Sequence, residues 1–282
     1  GSGKTLTCRS VLRILPGNAQ LRSGAIRFAS EGDDVDLLQL NERAMRGVRG
    51  NTISMIFQEP MRSLSPLHRL GDQVSEVLRV HRDMRSSQAK AQVLETFERV
   101  GFADAERVWR SYPFEMSGGM RQRAMIAMAM VAKPALLIAD EPTTALDVTT
   151  QAQVLGLIKD LQRDTGMAVI LVTHDQDEAL VVSDRIAVMK EGKIIQFGTP
   201  EEVYDSPKNK FVAEFLGTAN LIGGRFHDGL FHTELGKFEL EKTPIWEQGM
   251  IAIRPEWIRV SDTQPAKNGI RAKVTEIIYR GN

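Results

Sequence analysis

Leu136-Leu137-Ile138-Ala139-Asp140-Glu141-Pro142, preceded by Phe114-Glu115-Met116-Ser117-Gly118-Gly119-Met120-Arg121-Gln122-Arg123, decides how this chain is read. The apolar run predicts a buried strand that ends in two adjacent carboxylates. Alone, such a run closing on Asp-Glu is an ordinary strand end. The Ser-Gly-Gly turn predicts the start of a helix, where backbone N–H groups without helical partners can meet an anion. One piece can therefore grip a metal ion and a water, and the other can seat a phosphate.

Working outward, the first five residues supply a second anion site. Gly1-Ser2-Gly3-Lys4-Thr5 has the form of the second half of a phosphate-binding loop. In such a loop glycines let backbone N–H groups curl around phosphate oxygens, the lysine reaches the terminal phosphates and the threonine hydroxyl ligates magnesium. The alternative is a Gly-Ser linker ahead of a chance Lys-Thr. A complete loop also needs an earlier glycine and a preceding strand, so the expectation is a chain that starts inside a domain.

Composition bounds the rest. A chain of 282 residues, 42% hydrophobic and 26% charged, can bury a sizeable core and predicts one large domain with a small one beside it. Lys+Arg and Asp+Glu are both 36, so no global positive charge marks a nucleic-acid partner. The single cysteine, Cys8, excludes an internal disulfide framework and a cysteine-ligated cluster, and is expected to pack as a small apolar group on the first helix. No apolar run has the length of a bilayer span, which makes the cytoplasm the default compartment.

Along the chain, Lys4 to Leu15 predicts a helix leaving the phosphate loop and stopping at Pro16-Gly17. Gly24 to Phe28 and Ile53 to Phe57 read as strands. Arg43, Arg46 and Arg49 read as a solvated helix face. Val93, Leu94, Phe97 and Val100 form a core stripe in a helical region running from Gly71 to about Arg110. His81 there and His68 just before it have no ligand-like partners and read as surface or packing residues. Arg185–Met189 and Lys193–Phe197 predict a hairpin closing the larger domain. A linker is expected near Thr218, with Gly223-Gly224 just after it. Short alternating stretches from Gly229 onward, such as Ile251-Ala252-Ile253 and Ile270 to Val274, predict a small β-barrel.

Five motifs in one order resemble the nucleotide-binding subunit of an ATP-binding-cassette (ABC) importer. They are the Gly1–Thr5 loop, Gln58 in Ile56-Phe57-Gln58-Glu59-Pro60, Ser117 to Arg123, Leu137 to Asp147, and His174 in Leu171-Val172-Thr173-His174-Asp175. Residues 1–174 resemble the oligopeptide and dipeptide importer branch, including Met120 where many members have Gln. Residues 174–282 are more similar to the polyamine, ferric-iron and sugar importers and their C-terminal regulatory barrel. The fold implied is α/β, a P-loop NTPase (RecA-like) core with an inserted helical subdomain at about 60–130, followed by a small partial OB-like β-barrel. The implied domains are 1–217 for nucleotide binding and 218–282 for regulation.

The resemblance also implies roles and partners. ATP and Mg²⁺ are the expected cofactors. Gly1, Ser2, Gly3, Lys4 and Thr5 would hold the phosphates, and Thr5, Gln58 and Asp140 would face the metal. Glu141 is the expected general base or water-orienting group, assisted by Gln58, with His174 on the terminal phosphate. Ser117, Gly118 and Gly119 would contact ATP held by the opposite subunit, and Asp147 would couple the two sites. The hinge joining core and helical subdomain would span Pro60–Pro66. Partners would be membrane-spanning permease subunits, a second copy of the chain or a paralogous ATPase, and indirectly a solute-binding protein, at the cytoplasmic face of the membrane and without nucleic acid. With half of the phosphate loop absent, the chain itself is expected to be poorly active. Other classes fit less well. A soluble non-transport ABC ATPase should carry a coiled-coil insertion or a second cassette, a P-loop kinase or GTPase would lack the Ser-Gly-Gly turn and His174, and an exporter would carry fused membrane helices.

Overall fold

The computed structural model describes residues 2–30, 33–58, 63–263, 265, 267–273 and 275–276, and divides the chain into two units, Gly1–Pro200 and Glu201–Asn282. The first unit opens with α1 (Lys4–Val11) and continues through the antiparallel strands β1 (Arg27–Ser30) and β2 (Asp33–Asp36) to α2 (Glu42–Val48) and β3 (Ile53–Ile56). The first helix ends at Val11, four residues before the expected Leu15. Arg13 adopts a left-handed φ of 53°, and the Leu12 carbonyl accepts from Arg49 Nε at 2.7 Å instead of continuing the helix. Arg49 is thus not on a solvated face with Arg43 and Arg46. It is half-buried and also bonds Glu42 at 2.6 Å. The first strand starts at Arg27, later than expected.

A helical region follows: α3 (Leu70–Arg82), α4 (Ser86–Arg99), α5 (Ala105–Arg110) and α6 (Gly118–Met130). The expected stripe is its core. Val93, Phe97 and Val100 are fully buried with Leu70, Val74 and Leu78 of α3, and Leu94 packs against them. Phe97 meets Phe102 edge to face, ring centroids 5.7 Å apart; burying a side chain of that size contributes roughly 1.5–3 kcal/mol. Carbonyls without helical partners just past α6 are met by side chains, Val131 by Gln92 at 2.7 Å and Ala132 by Arg82 at 2.8 Å. His68 bonds Ser65, and His81 packs on Gly50, where burial pushes its imidazole pKa down. Pro60, Met61 and Arg62 of the expected hinge lie outside the described residues.

The central sheet of this unit is parallel, in the order β3-β4-β5, with β4 (Leu136–Asp140) and β5 (Ala168–Val172) linked by α7 (Val148–Thr165). Every residue of β4 is buried, as a strand covered on both faces requires. Its alternation sorts the core: Leu137 and Ala139 join the cluster of the helical region, whereas Leu136 and Ile138 join Cys8 and Leu12 of α1. After β5 comes α8 (Gln176–Val182). The expected hairpin forms as β6 (Ile186–Lys190) and β7 (Lys193–Gly198), turning on Glu191 and Gly192, both at positive φ. It makes a two-stranded sheet of its own.

The second unit contains α9 (Pro200–Asp205), α10 (Lys210–Phe215) and the antiparallel strands β8 (Asn220–His227), β9 (Leu230–Thr233), β10 (Gly236–Phe238) and β11 (Gln248–Ile253), in the order β10-β9-β8-β11. Gly223 and Gly224, expected just past a linker, lie inside β8. A Cβ on Gly224 would sit 2.3 Å from the His232 carbonyl oxygen and 2.8 Å from the Phe231 ring, so the glycine admits a close strand approach. Ile251 to Ile253 are in β11, but Ile270 to Lys273 form no strand, and Val274 lies outside the described residues. Arg254, 1% exposed, donates to the carbonyls of Tyr204, Ala213, Gly217 and Thr218 and lies over the Tyr204 ring. It ties the end of β11 to both helices of the unit.

Candidate nucleotide site

The buried strand β4 delivers two carboxylates to its C-terminal end. Asp140 is completely buried. Its Oδ1 accepts from the Thr5 hydroxyl at 3.1 Å, and its Oδ2 is buried with no hydrogen-bond partner among the described residues. Burial pushes the Asp140 pKa up and the Glu141 charge adds to this, while the Thr5 bond pulls the other way. A carboxylate oxygen left without a donor beside a hydroxyl is an oxygen-only donor set, which suits Mg²⁺.

Glu141 continues the β4–β5 pairing, its N–H donating to Val172 O at 2.8 Å, and then turns sharply at φ 52°. A non-glycine residue held there costs roughly 1–3 kcal/mol. The turn aims the side chain at three donors: Gln58 Nε2 at 2.6 Å and the Thr144 hydroxyl at 3.2 Å on Oε2, and His174 Nε2 on Oε1. On the other side of the ring, Lys4 Nζ lies 3.0 Å from His174 Nδ1. An ammonium can only donate, so Nδ1 is the acceptor and the imidazole proton sits on Nε2, facing Glu141. A hydrogen-bonded chain therefore runs Lys4, His174, Glu141, Gln58, with Thr5 next in sequence to Lys4 and Asp140 next in sequence to Glu141.

Lys4 stands at the start of α1, whose N-cap Gly3 has φ 89°. A Cβ on Gly3 would come within 3.4 Å of Gly192 Cα, and Ser2 O accepts from Gly192 N at 2.9 Å. Gly1 lies outside the described residues. The Ser-Gly-Gly turn occupies a cleft of about 640 Å³ lined by Ser117, Gly118, Gly119 and Met120 with Leu146 and Asp147. Ser117 caps α6 by accepting from Met120 N at 3.3 Å, and no acidic side chain occupies the first turn of that helix, which leaves its positive end uncompensated. Asp147 caps α7, accepting from Thr150 N and Oγ1 at 2.9 and 2.7 Å; these bonds, the hydroxyl first, hold its carboxyl below the usual range. None of Lys4, Thr5, Gln58, Asp140, Glu141 or His174 lines this cleft.

Two groups escaped the sequence reading. Thr144 bonds Glu141 from three residues on. A second set holds the turn around His174: Asp175 N donates to the Thr173 hydroxyl, which donates to Glu178 Oε2. Asp175 with Glu178 three residues later is a helix-start pattern that could have flagged the second set.

An ABC transporter family model matches residues 1–144, half of the chain, and the chain belongs to that family. A TOBE domain model matches residues 251–282, in keeping with a C-terminal regulatory region. Among curated relatives, the chain is 48% identical over 217 residues to a peptidoglycan transport ATP-binding protein of Agrobacterium fabrum, covering 77% of this chain and 39% of that protein. It is 44% identical over 219 residues to the dipeptide transport ATP-binding protein of Bacillus subtilis, covering 77% of this chain and 64% of that one. The chain thus spans less than two thirds of either relative. A match over 217 of 282 residues includes 66–217 wherever it begins, so these likenesses run past His174. Two solved structures share the fold. The ATP-binding cassette MJ0796, as a post-hydrolysis dimer bound to ADP and Pi, is 26% identical with a TM-score of 0.57, covering 71% of this chain and 81% of that one. Clostridium perfringens cbiO1, part of the cbiONQ ABC transporter complex, is 26% identical with a TM-score of 0.59, covering 73% and 76%. The architecture is therefore that of an ABC ATPase cassette, a P-loop NTPase fold, with an OB-like C-terminal region. Among the described residues no helix is long and apolar enough to cross a membrane.

Proposed function

We propose that this chain is the ATP-hydrolysing subunit of an ABC importer and that the solute is peptide-like. The observation that carries the catalytic part is the convergence of Gln58, Thr144 and His174 on Glu141, beside the Thr5–Asp140 pair. Phosphoryl transfer asks a protein mainly for in-line positioning and charge neutralisation. Lys4 and the amides of Ser2, Gly3 and Thr5 would bind the phosphates. Thr5 and Asp140, with Gln58 nearby, would hold Mg²⁺, which supplies charge neutralisation on the phosphate oxygens. Glu141 would orient the attacking water and take its proton. Gln58 would fix the Glu141 carboxylate, and with Lys4 moved onto the phosphates the His174 Nε2–H, which donates to Glu141 in this structure, would donate to the terminal phosphate.

The Ser117–Gly119 turn and Asp147 would serve the nucleotide of a second subunit, identical or paralogous. The peptide-like solute is favoured by the likeness to a peptidoglycan transport and a dipeptide transport ATP-binding protein. Residues 1–217 would form the nucleotide-binding part, and 218–282 the regulatory part. Membrane-spanning permease subunits would seat the protein on the cytoplasmic face, with a solute-binding protein engaged indirectly. The test is co-purification and ATPase stimulation with peptide-type against polyamine- or iron-type permease pairs. Stimulation by the peptide-type pair alone supports the proposal, and selective coupling to the other types overturns it.

A further inference from the structure

Glu178 is a charged side chain only 8% exposed, yet its carboxylate is poorly satisfied. Oε2 accepts from the Thr173 hydroxyl at 2.6 Å; Oε1 is buried without a hydrogen-bond partner among the described residues. Burying a carboxylate on so few bonds is costly, and helix capping does not account for it. In a capping box the third-position glutamate reaches back to the N-cap N–H. Here the N-cap is Asp175, which accepts from the N–H groups of Asp177 and Glu178, and its own N–H goes to the Thr173 hydroxyl at 2.9 Å. That hydroxyl is inserted between the helix start and Glu178. The relay of Asp175 N–H to Thr173 Oγ1, and of Thr173 O–H to Glu178, closes a loop around one residue, His174.

His174 needs such support, because its own side chain is 72% exposed and its ring must meet Lys4 on one edge and Glu141 on the other. We infer that Glu178 is a positioning residue: from the first turn of α8 it holds the Thr173–Asp175 turn through the Thr173 hydroxyl and thereby fixes the imidazole between Lys4 and Glu141. The inference rests on the reading of His174 as part of the nucleotide site. Only the acceptor oxygen matters in this arrangement, so a neutral amide that keeps an oxygen toward Thr173 serves as well as the carboxylate.

The test compares Glu178→Gln, Glu178→Ala and the near-isosteric Thr173→Val in the full chain, with two readouts. The first is independent of activity: imidazole nitrogen NMR of His174, assigned with His174→Gln, reports its tautomer and exchange. Glu178→Ala and Thr173→Val should each lose the single Nε2–H form and broaden the resonance, while Glu178→Gln keeps the parent spectrum. The second is ATP turnover in the permease complex. There the two disrupting variants should lower kcat about 10-fold or more with KM within about 2-fold, as small misplacements of catalytic groups do, and Glu178→Gln should restore the parent rate. An unchanged His174 spectrum in both disrupting variants overturns the positioning role whatever the turnover. A changed spectrum with unchanged turnover in an active complex upholds the positioning and instead counts against His174 as a catalytic group. A Glu178→Gln variant as impaired as Glu178→Ala overturns the claim that the acceptor oxygen suffices.

Discussion

Replacing Glu141 by Gln should separate positioning from chemistry. All the groups around this carboxylate are donors: His174 Nε2 on Oε1, and Gln58 Nε2 at 2.6 Å and Thr144 Oγ1 at 3.2 Å on Oε2. In the variant the amide oxygen can keep facing His174, which preserves the tautomer that accepts from Lys4. The amide nitrogen then faces Gln58, whose own amide turns over to present its oxygen, and the Thr144 hydroxyl rotates to accept. Three charge-assisted bonds become neutral ones of about half the strength. Each loses roughly 0.5–1 kcal/mol, and the loss is offset because a carboxylate 7% exposed is no longer buried. The net change in stability should be within about 1–2 kcal/mol, while loss of the proposed base should lower turnover by about 100-fold to 10,000-fold. Phosphate-release kinetics, ATP titration and thermal unfolding of parent and variant decide it. Retained ATP binding, retained folding, stalled hydrolysis and an accumulated nucleotide-bound dimer are expected. Turnover within a few-fold of the parent would place the base elsewhere than Glu141.

Other consequences follow from single groups. Burial raises the Asp140 pKa, so the ionised form costs stability above that raised value and protonation relieves the cost as pH falls through it. In metal-free buffer Asp140→Asn should melt higher than the parent at neutral pH, with the advantage shrinking toward acid; a lower melting temperature at neutral pH contradicts this. The Cys8 thiol, pushed up to about 11 chiefly by burial, should resist iodoacetamide at pH 7 in the folded protein and react on denaturation. Rapid native labelling would show α1 opening. Arg254→Ala strips the carbonyls of Tyr204, Ala213, Gly217 and Thr218 of a charged donor and should destabilise the second unit by about 3 kcal/mol, read as a lower melting transition. Arg254→Lys should recover only part of it.

The parts of the fold that were legible in the sequence are those set by local periodicity or by a few covalent neighbours. The Leu136–Asp140 strand, the Ser117 cap, the Val93–Phe97–Val100 stripe and the hairpin at Glu191-Gly192 all depend on spacing within a dozen residues. Contacts across the chain were not legible. α1 stops early because Arg49, 37 residues on, takes the Leu12 carbonyl. Gly223 and Gly224 look like a break in the sequence, yet both lie inside β8, where the His232 carbonyl and the Phe231 ring leave no room for a Cβ on Gly224. Of the candidate site, the residue types that converge at the end of β4 were named by the family's motifs. The polarity of the Lys4–His174–Glu141 chain was not, since it depends on which atoms face each other across 170 residues. Thr144 and Glu178 were passed over because a hydroxyl or carboxylate beside a motif has many ordinary uses.

A crystal structure with Mg²⁺ and a non-hydrolysable ATP analogue decides whether Lys4, Thr5, Asp140, Glu141 and His174 form one nucleotide site. Lys4 should leave His174 Nδ1 for the terminal phosphates, the Thr5 hydroxyl and the Asp140 carboxylate should hold the metal, and His174 and Glu141 should face the terminal phosphate. A bound nucleotide with Lys4 still on His174, and with the metal away from Asp140, would contradict such a site.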